Sequence, residues 1–130
     1  MTNDDLILSG RMCPYCGRMT ELIDSAVIYG GRSYGMIYMC RTCETYVGCH
    51  DGTTRAKGRL ANAELREWKK MAHSAFDPIW QKGHMKRKEA YAWLSERMGI
   101  PFERTHIGMF DVAECQRVVS ICVETKLLNL

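Results

Sequence analysis

Four cysteines stand in two CxxC pairs, Cys13 and Cys16 in the segment CPYCG and Cys40 and Cys43 in CRTC. A CxxC turn can aim two thiolates at one ion while the backbone N–H groups that follow donate to the sulfurs, so two such turns complete a tetrahedral zinc shell. Proline stiffens the first turn, and Gly17, just past its second sulfur, can take a backbone conformation that other residues resist. Two disulfides or a thioredoxin-like redox pair are the rival readings; a redox CxxC needs a strand-to-helix setting and no second pair. The expectation is one structural Zn2+ on Cys13, Cys16, Cys40 and Cys43. Four sulfurs leave no open position for water, so this zinc is not expected to be catalytic.

The remaining thiols fit that site less well. Cys49 and His50 are adjacent, which is poor geometry for one ion, and Cys115 and Cys122 read as small buried hydrophobes on one helix face.

Other residues suggest polyanion contact. The stretch DGTTRAKGR, residues 51–59, joins two glycines and two threonines to Arg55, Lys57 and Arg59. Such a loop can bring backbone, hydroxyls and charge to a phosphate, or can be a solvated connector. A second basic cluster, Lys82, Lys86, Arg87 and Lys88 with His84 among them, falls where a helix begins. Cations there oppose the helix dipole, unless the helix starts nearer Lys88 and the charges belong to a loop. His73 and Asp77 are spaced to meet on one helical face, and His50 and His106 could approach them from loops. This is the one enzyme-like constellation, and it lacks a nucleophile motif. Tyr29, Tyr34, Tyr38 and Tyr46 could stack on unpaired bases or cover the helical half of the chain.

The elements that must position these groups change character along the chain. Between residues 13 and 49, β-like runs at Leu22 to Tyr29, Tyr34 to Met39 and Thr45 to Val47 surround a Gly30-Gly31 turn, which predicts a small antiparallel sheet with the CxxC pairs at its edges. Beyond the 51–59 loop the period becomes helical. Leu65, Trp68, Ala72, Phe76 and Ile79 mark one amphipathic helix with Asn62 as its cap, and Pro78 either ends it near Phe76 or kinks it with Asp77 as a new cap. A helix from about Lys86 to Met98 stops at Gly99-Ile100-Pro101, and a last one opens at Asp111 with Glu114 in a capping-box pattern and buries Val112, Cys115, Val118, Val119 and Cys122.

The bulk composition is that of a folded chain. Of 130 residues, 46% are hydrophobic and 25% charged. No apolar run approaches the roughly 18 residues that span a bilayer, and the acidic start MTNDDLILSG lacks a positive n-region. Seven cysteines without a secretory signal point to a reducing compartment, hence the cytoplasm, with no membrane partner and no small-molecule cofactor expected. The formal charge of +3 falls to about +1 once four thiols ionise and a divalent ion binds, so any affinity for phosphate must come from local clusters.

The segments CPYCG, IYGGRSYGMIYMC, YVGCHDGTTRAKGRLANAELREWKKMAHSAFDPIW, EAYAWLSERMGI and HIGMFDVAEC together resemble the zinc-finger-containing domain family of bacteria and bacteriophages, across roughly residues 12 to 123. That family has no assigned function. The resemblance implies the four-cysteine zinc site and a helical half that belongs with the ribbon as one unit. It singles out Gly48, His50, Gly52, Thr53, Gly58, Leu60, Ala61, His73, Phe76, Asp77 and Trp80. Where the family often has a proline before the second loop glycine, this chain has Lys57, which implies a more mobile and more basic loop.

The expected fold is α+β: a three-stranded zinc ribbon over residues 1–50, a basic loop over 51–59, and three to four helices over 60–130 packed against the ribbon. The expected function is a nucleic-acid-binding module using Arg55, Lys57, Arg59, Lys86, Arg87 and Lys88. A protein-interaction adaptor docking on a nucleic-acid machine comes second. A hydrolase built on His73, Asp77 and His106 comes third.

Overall fold

The computed structural model describes residues 1–128, which form two compact units, the first Met1–Ala63 and the second beginning at Glu64. Among the described residues no helix is long and apolar enough to cross a membrane.

The first unit opens with a short helix, α1 (Asn3–Leu8), in a stretch whose acidic composition alone suggested no element. A capping box creates it: the Thr2 hydroxyl accepts from the Asp5 N–H at 3.1 Å and the Asp5 carboxylate accepts from the Thr2 N–H at 3.1 Å. The chain then leaves through Gly10 at φ +79°, where an added Cβ would meet the Ala56 Cβ at 2.8 Å. Only glycine suits both the conformation and that approach.

Three strands follow, β1 (Glu21–Asp24), β2 (Met36–Cys40) and β3 (Thr45–Gly48), in an antiparallel sheet of order β1-β2-β3. Its register sets Leu22 opposite Tyr38 and Cys40 opposite Thr45. The first strand is shorter than its apolar run predicts. The Asp24 carboxylate accepts from the Ala26 N–H at 2.8 Å and turns the chain into a 3-10 helix over Ser25–Val27, an Asx-type competitor that ends the ladder. Cys13, Tyr38, Cys40, Val47 and Leu60 form the core of this unit, with Cys43, Cys49 and Ala56 packed on it. Tyr38 therefore belongs to the ribbon's own core. Metal ligands make up much of a core this small, the situation in which a bound ion replaces apolar burial as the source of stability.

The second unit is helical: α2 (Ala63–Phe76, whose first residue closes the first unit), α3 (Pro78–Gln81), α4 (Arg87–Met98) and α5 (Val112–Leu128). At Pro78 the helix restarts. Asp77 takes the capping position without a side-chain cap bond, because its carboxylate is on His73 instead. Gly99 closes α4 in the left-handed conformation, and Asp111 and Glu114 form the reciprocal box at α5 with bonds of 3.0 and 2.8 Å. Val112 and Val119 are only half-buried on α5, whose inward face is Cys115, Val118, Ile121 and Cys122.

Candidate metal centre and adjoining basic loop

The two CxxC turns are built alike. In the first, the Cys13 N–H donates to the Arg18 carbonyl at 2.9 Å, the Gly17 N–H donates to the Cys13 carbonyl at 2.9 Å, and Gly17 has φ +76°. In the second, Glu44 takes the equivalent place just past Cys43 at φ +54°, the one described non-glycine residue with a positive φ. The left-handed residue after each second sulfur lets the chain turn back after presenting it.

The four sulfurs of Cys13, Cys16, Cys40 and Cys43 all lie within 4.8 Å of one another, and Cys16 Sγ is 3.7 Å from Cys40 Sγ. Zinc–sulfur bonds of about 2.3 Å in a tetrahedron give sulfur–sulfur edges of about 3.8 Å, so the Cys16–Cys40 pair stands at the spacing the ion requires and all four donors converge on one place. All seven cysteines are free thiols.

The electrostatics point the same way. Burial opposes ionisation of Cys13 most strongly, yet the backbone N–H groups of Tyr15 and Cys16 and the Thr45 hydroxyl together hold its thiol down at about 7. Cys43 is pushed up to about 12, first by its hydrogen bond with Cys16 and then by desolvation and the neighbouring Cys13. Cys40 is raised by burial, partly offset by the Cys43 N–H. A thiolate is favoured at Cys13 and opposed at Cys40 and Cys43, and a bound cation offsets the repulsion among neighbouring thiolates. Thr45 is 1% exposed and its Oγ1 lies 3.6 Å from Cys13 Sγ. A thiolate can only accept, so Thr45 is the donor when metal is bound.

A family model described as a zinc-finger-containing domain matches residues 9–125. The chain belongs to that family. Neither the curated proteins nor the solved structures gave a match. As a zinc-finger-containing domain with four converging thiols, the protein binds one structural zinc through Cys13, Cys16, Cys40 and Cys43. The ion supplies cross-linking of the two turns, and four sulfur ligands leave it no open position.

In this zinc-finger-containing domain the 51–59 stretch is a tied hairpin. Cys49 and Ala56 form an antiparallel bridge, the His50 N–H donates to the Arg55 carbonyl at 2.9 Å, and the Lys57 N–H donates to the Gly48 carbonyl at 2.9 Å. From the core, the Tyr38 hydroxyl donates to the Thr54 carbonyl at 2.6 Å. A proline at position 57 could not make the bond to Gly48, so Lys57 ties the loop and does not free it. Arg55 and Lys57 are exposed, and among the described residues neither has an ion-pair partner; Arg59 is half-buried and engaged.

The other predicted residues divide. Lys86 occupies the position before α4, with Arg87 and Lys88 in its first turn, so the helix does begin at the basic cluster and not later. The Arg87 guanidinium lies 5.5 Å from the Trp80 ring and 5.0 Å from the Tyr91 ring, an internal engagement that accounts for a cation at this helix start. His73 Nδ1 meets the Asp77 carboxylate at 3.0 Å, as the spacing predicts. His106 packs its ring on Tyr91 at 5.5 Å, and desolvation together with Arg87 holds its imidazole below the usual value. His50 lies on the hairpin of the first unit.

Sequence reasoning missed a cleft of about 600 Å³ between Tyr34–Met36 and residues 49–55. Its walls are far apart in the chain, and no local pattern marks them.

Proposed function

We propose that this zinc-finger-containing domain is a nucleic-acid-binding module whose contact surface is the 51–59 hairpin. The observation that carries this reading is the tied loop, which presents Arg55 and Lys57 to solvent with no ion-pair partner among the described residues. A pinned loop loses little conformational entropy when it meets a phosphate backbone, and each cation that does so releases a counterion. Zinc is part of this function indirectly: Cys40, Cys43 and Cys49 flank or extend β3, whose continuation is one arm of the hairpin.

The test is oligonucleotide binding by fluorescence anisotropy at several salt concentrations, with the double variant Arg55→Ala/Lys57→Ala. Losing two phosphate contacts should lower the slope of log affinity against log salt by about 1.4 on single strands or 1.8 on duplex. No binding by the native protein at low salt, or an unchanged slope in a folded variant, would replace this reading with a protein-docking adaptor.

A further inference from the structure

The cleft beside the hairpin has two fixed walls. On one side, the Tyr34 N–H donates to the Ser25 hydroxyl at 2.7 Å and the Ser25 N–H donates to the Gly35 carbonyl at 2.9 Å; Ser25 itself is 1% exposed. The Tyr29 and Tyr34 rings pack in a T, with centroids 5.1 Å apart and planes at 79°. Tyr34 is thus held at its backbone and against the Tyr29 ring while the residue remains 65% exposed.

The opposite wall is the hairpin, held by the Tyr38 bond to Thr54 and turned by Thr53, whose hydroxyl donates to the His50 carbonyl at 2.8 Å and accepts from the Arg55 N–H at 3.1 Å. His50, Asp51, Thr53 and Arg55 face Tyr34 across a space of about 600 Å³, within the range of about 300–1,000 Å³ typical of small-ligand sites.

The chemistry of this lining is selective. An exposed aromatic ring offers a stacking face, Arg55 offers donors, and Asp51 is the single carboxylate among the lining residues. A carboxylate repels phosphate but accepts from N–H groups, and every base carries such a donor on its Watson–Crick edge. In a duplex that edge is occupied and the base faces are stacked.

We infer that the cleft between Tyr34 and the 50–55 hairpin takes one unpaired nucleotide of a single strand, its base stacked on Tyr34 with its pairing edge toward Asp51 and its phosphate on Arg55. The inference rests on the nucleic-acid reading above and narrows it to single strands. Base–aromatic stacking tolerates any sequence because every base has a π face, so the site discriminates unpaired from paired and not one base from another.

Three nucleic acids and two variants test it, all with the zinc-loaded full chain: a mixed-sequence 15-nucleotide strand, the corresponding duplex and an abasic 15-nucleotide strand, against the native protein, Tyr34→Ala and Tyr34→Trp. Tyr34→Ala should weaken the single strand about 5- to 150-fold, the range for one lost base stack, without changing the salt slope. It should leave the abasic strand unaffected, and Tyr34→Trp should restore binding. A Tyr34→Ala protein that binds the single strand like the native one, or a duplex that binds as tightly as the single strand, overturns the cleft assignment and leaves the nucleic-acid reading standing. Failure of the native protein to bind any of the three nucleic acids removes both.

Discussion

Replacing Thr45 by valine should weaken zinc binding while leaving the ribbon otherwise intact. Valine keeps the β-branch and nearly the same volume, so β3 and its pairing with Cys40 need not change. It removes the hydroxyl 3.6 Å from Cys13 Sγ. In this 1% exposed position no water is at hand to replace that donor. A hydrogen bond to a charged acceptor is worth about 1.5–3 kcal/mol, which converts to roughly 10- to 150-fold in affinity and agrees with the 10- to 100-fold cost typical of losing a group that supports a metal ligand. The assay is competition for zinc against a chromophoric chelator under reducing conditions, with Thr45→Ser as the control that keeps the hydroxyl. Affinity within twofold of native for Thr45→Val, or an equal loss in both variants, would refute the argument that this hydroxyl stabilises the Cys13 thiolate.

Gly10→Ala should destabilise the first unit by about 2–5 kcal/mol, combining the left-handed backbone cost with overpacking against Ala56, whereas Gly30→Ala, at φ +62° with open space around it, should cost only about 1–2 kcal/mol; denaturant midpoints compare the two. The pH response of the second unit should depend on His106. Desolvation and Arg87 hold its folded imidazole below 6.5, so on acidification the unfolded chain takes up a proton first and stability falls as pH drops from about 7 through the folded value. Thermal melts of the helical signal should therefore lose less stability between pH 7 and 5 in His106→Asn than in the native protein.

The metal site was legible because its chemistry is local: each CxxC turn positions two sulfurs by itself, and the sheet had only to bring two turns together. Capping boxes were equally local. The one at Asp111 and Glu114 was read, and the one at Thr2 and Asp5 carries the same signal but precedes a stretch too short for helical periodicity. What a local pattern does not decide is which of two partners a group serves. The spacing that brings His73 to Asp77 does not say that the carboxylate serves His73 in place of the helix end, and the spacing that sets Arg87 near Tyr91 does not bring in Trp80. The 51–59 stretch reads as a basic loop or a solvated connector, and it is the Tyr38 bond to Thr54 that makes it a tied hairpin; Tyr34 reads as one strand tyrosine among several until Ser25 and the hairpin give it a cleft. Local sequence thus carries the ligands and most element types, while the shape of the proposed contact surface depends on contacts the sequence does not index.

One zinc on four thiolates holds the first unit together, since a site of this kind contributes on the order of 10–16 kcal/mol that so small a sheet cannot gain by burial. Native mass spectrometry of the reduced protein, paired with two-dimensional NMR before and after chelation, tests it most directly. The expected result is one zinc per chain, its loss in Cys40→Ser, and collapse of the amide dispersion of residues in the Met1–Ala63 unit when the metal is removed. Zero or two zinc ions per chain, or a metal-free protein whose first unit keeps its dispersed spectrum, would contradict it.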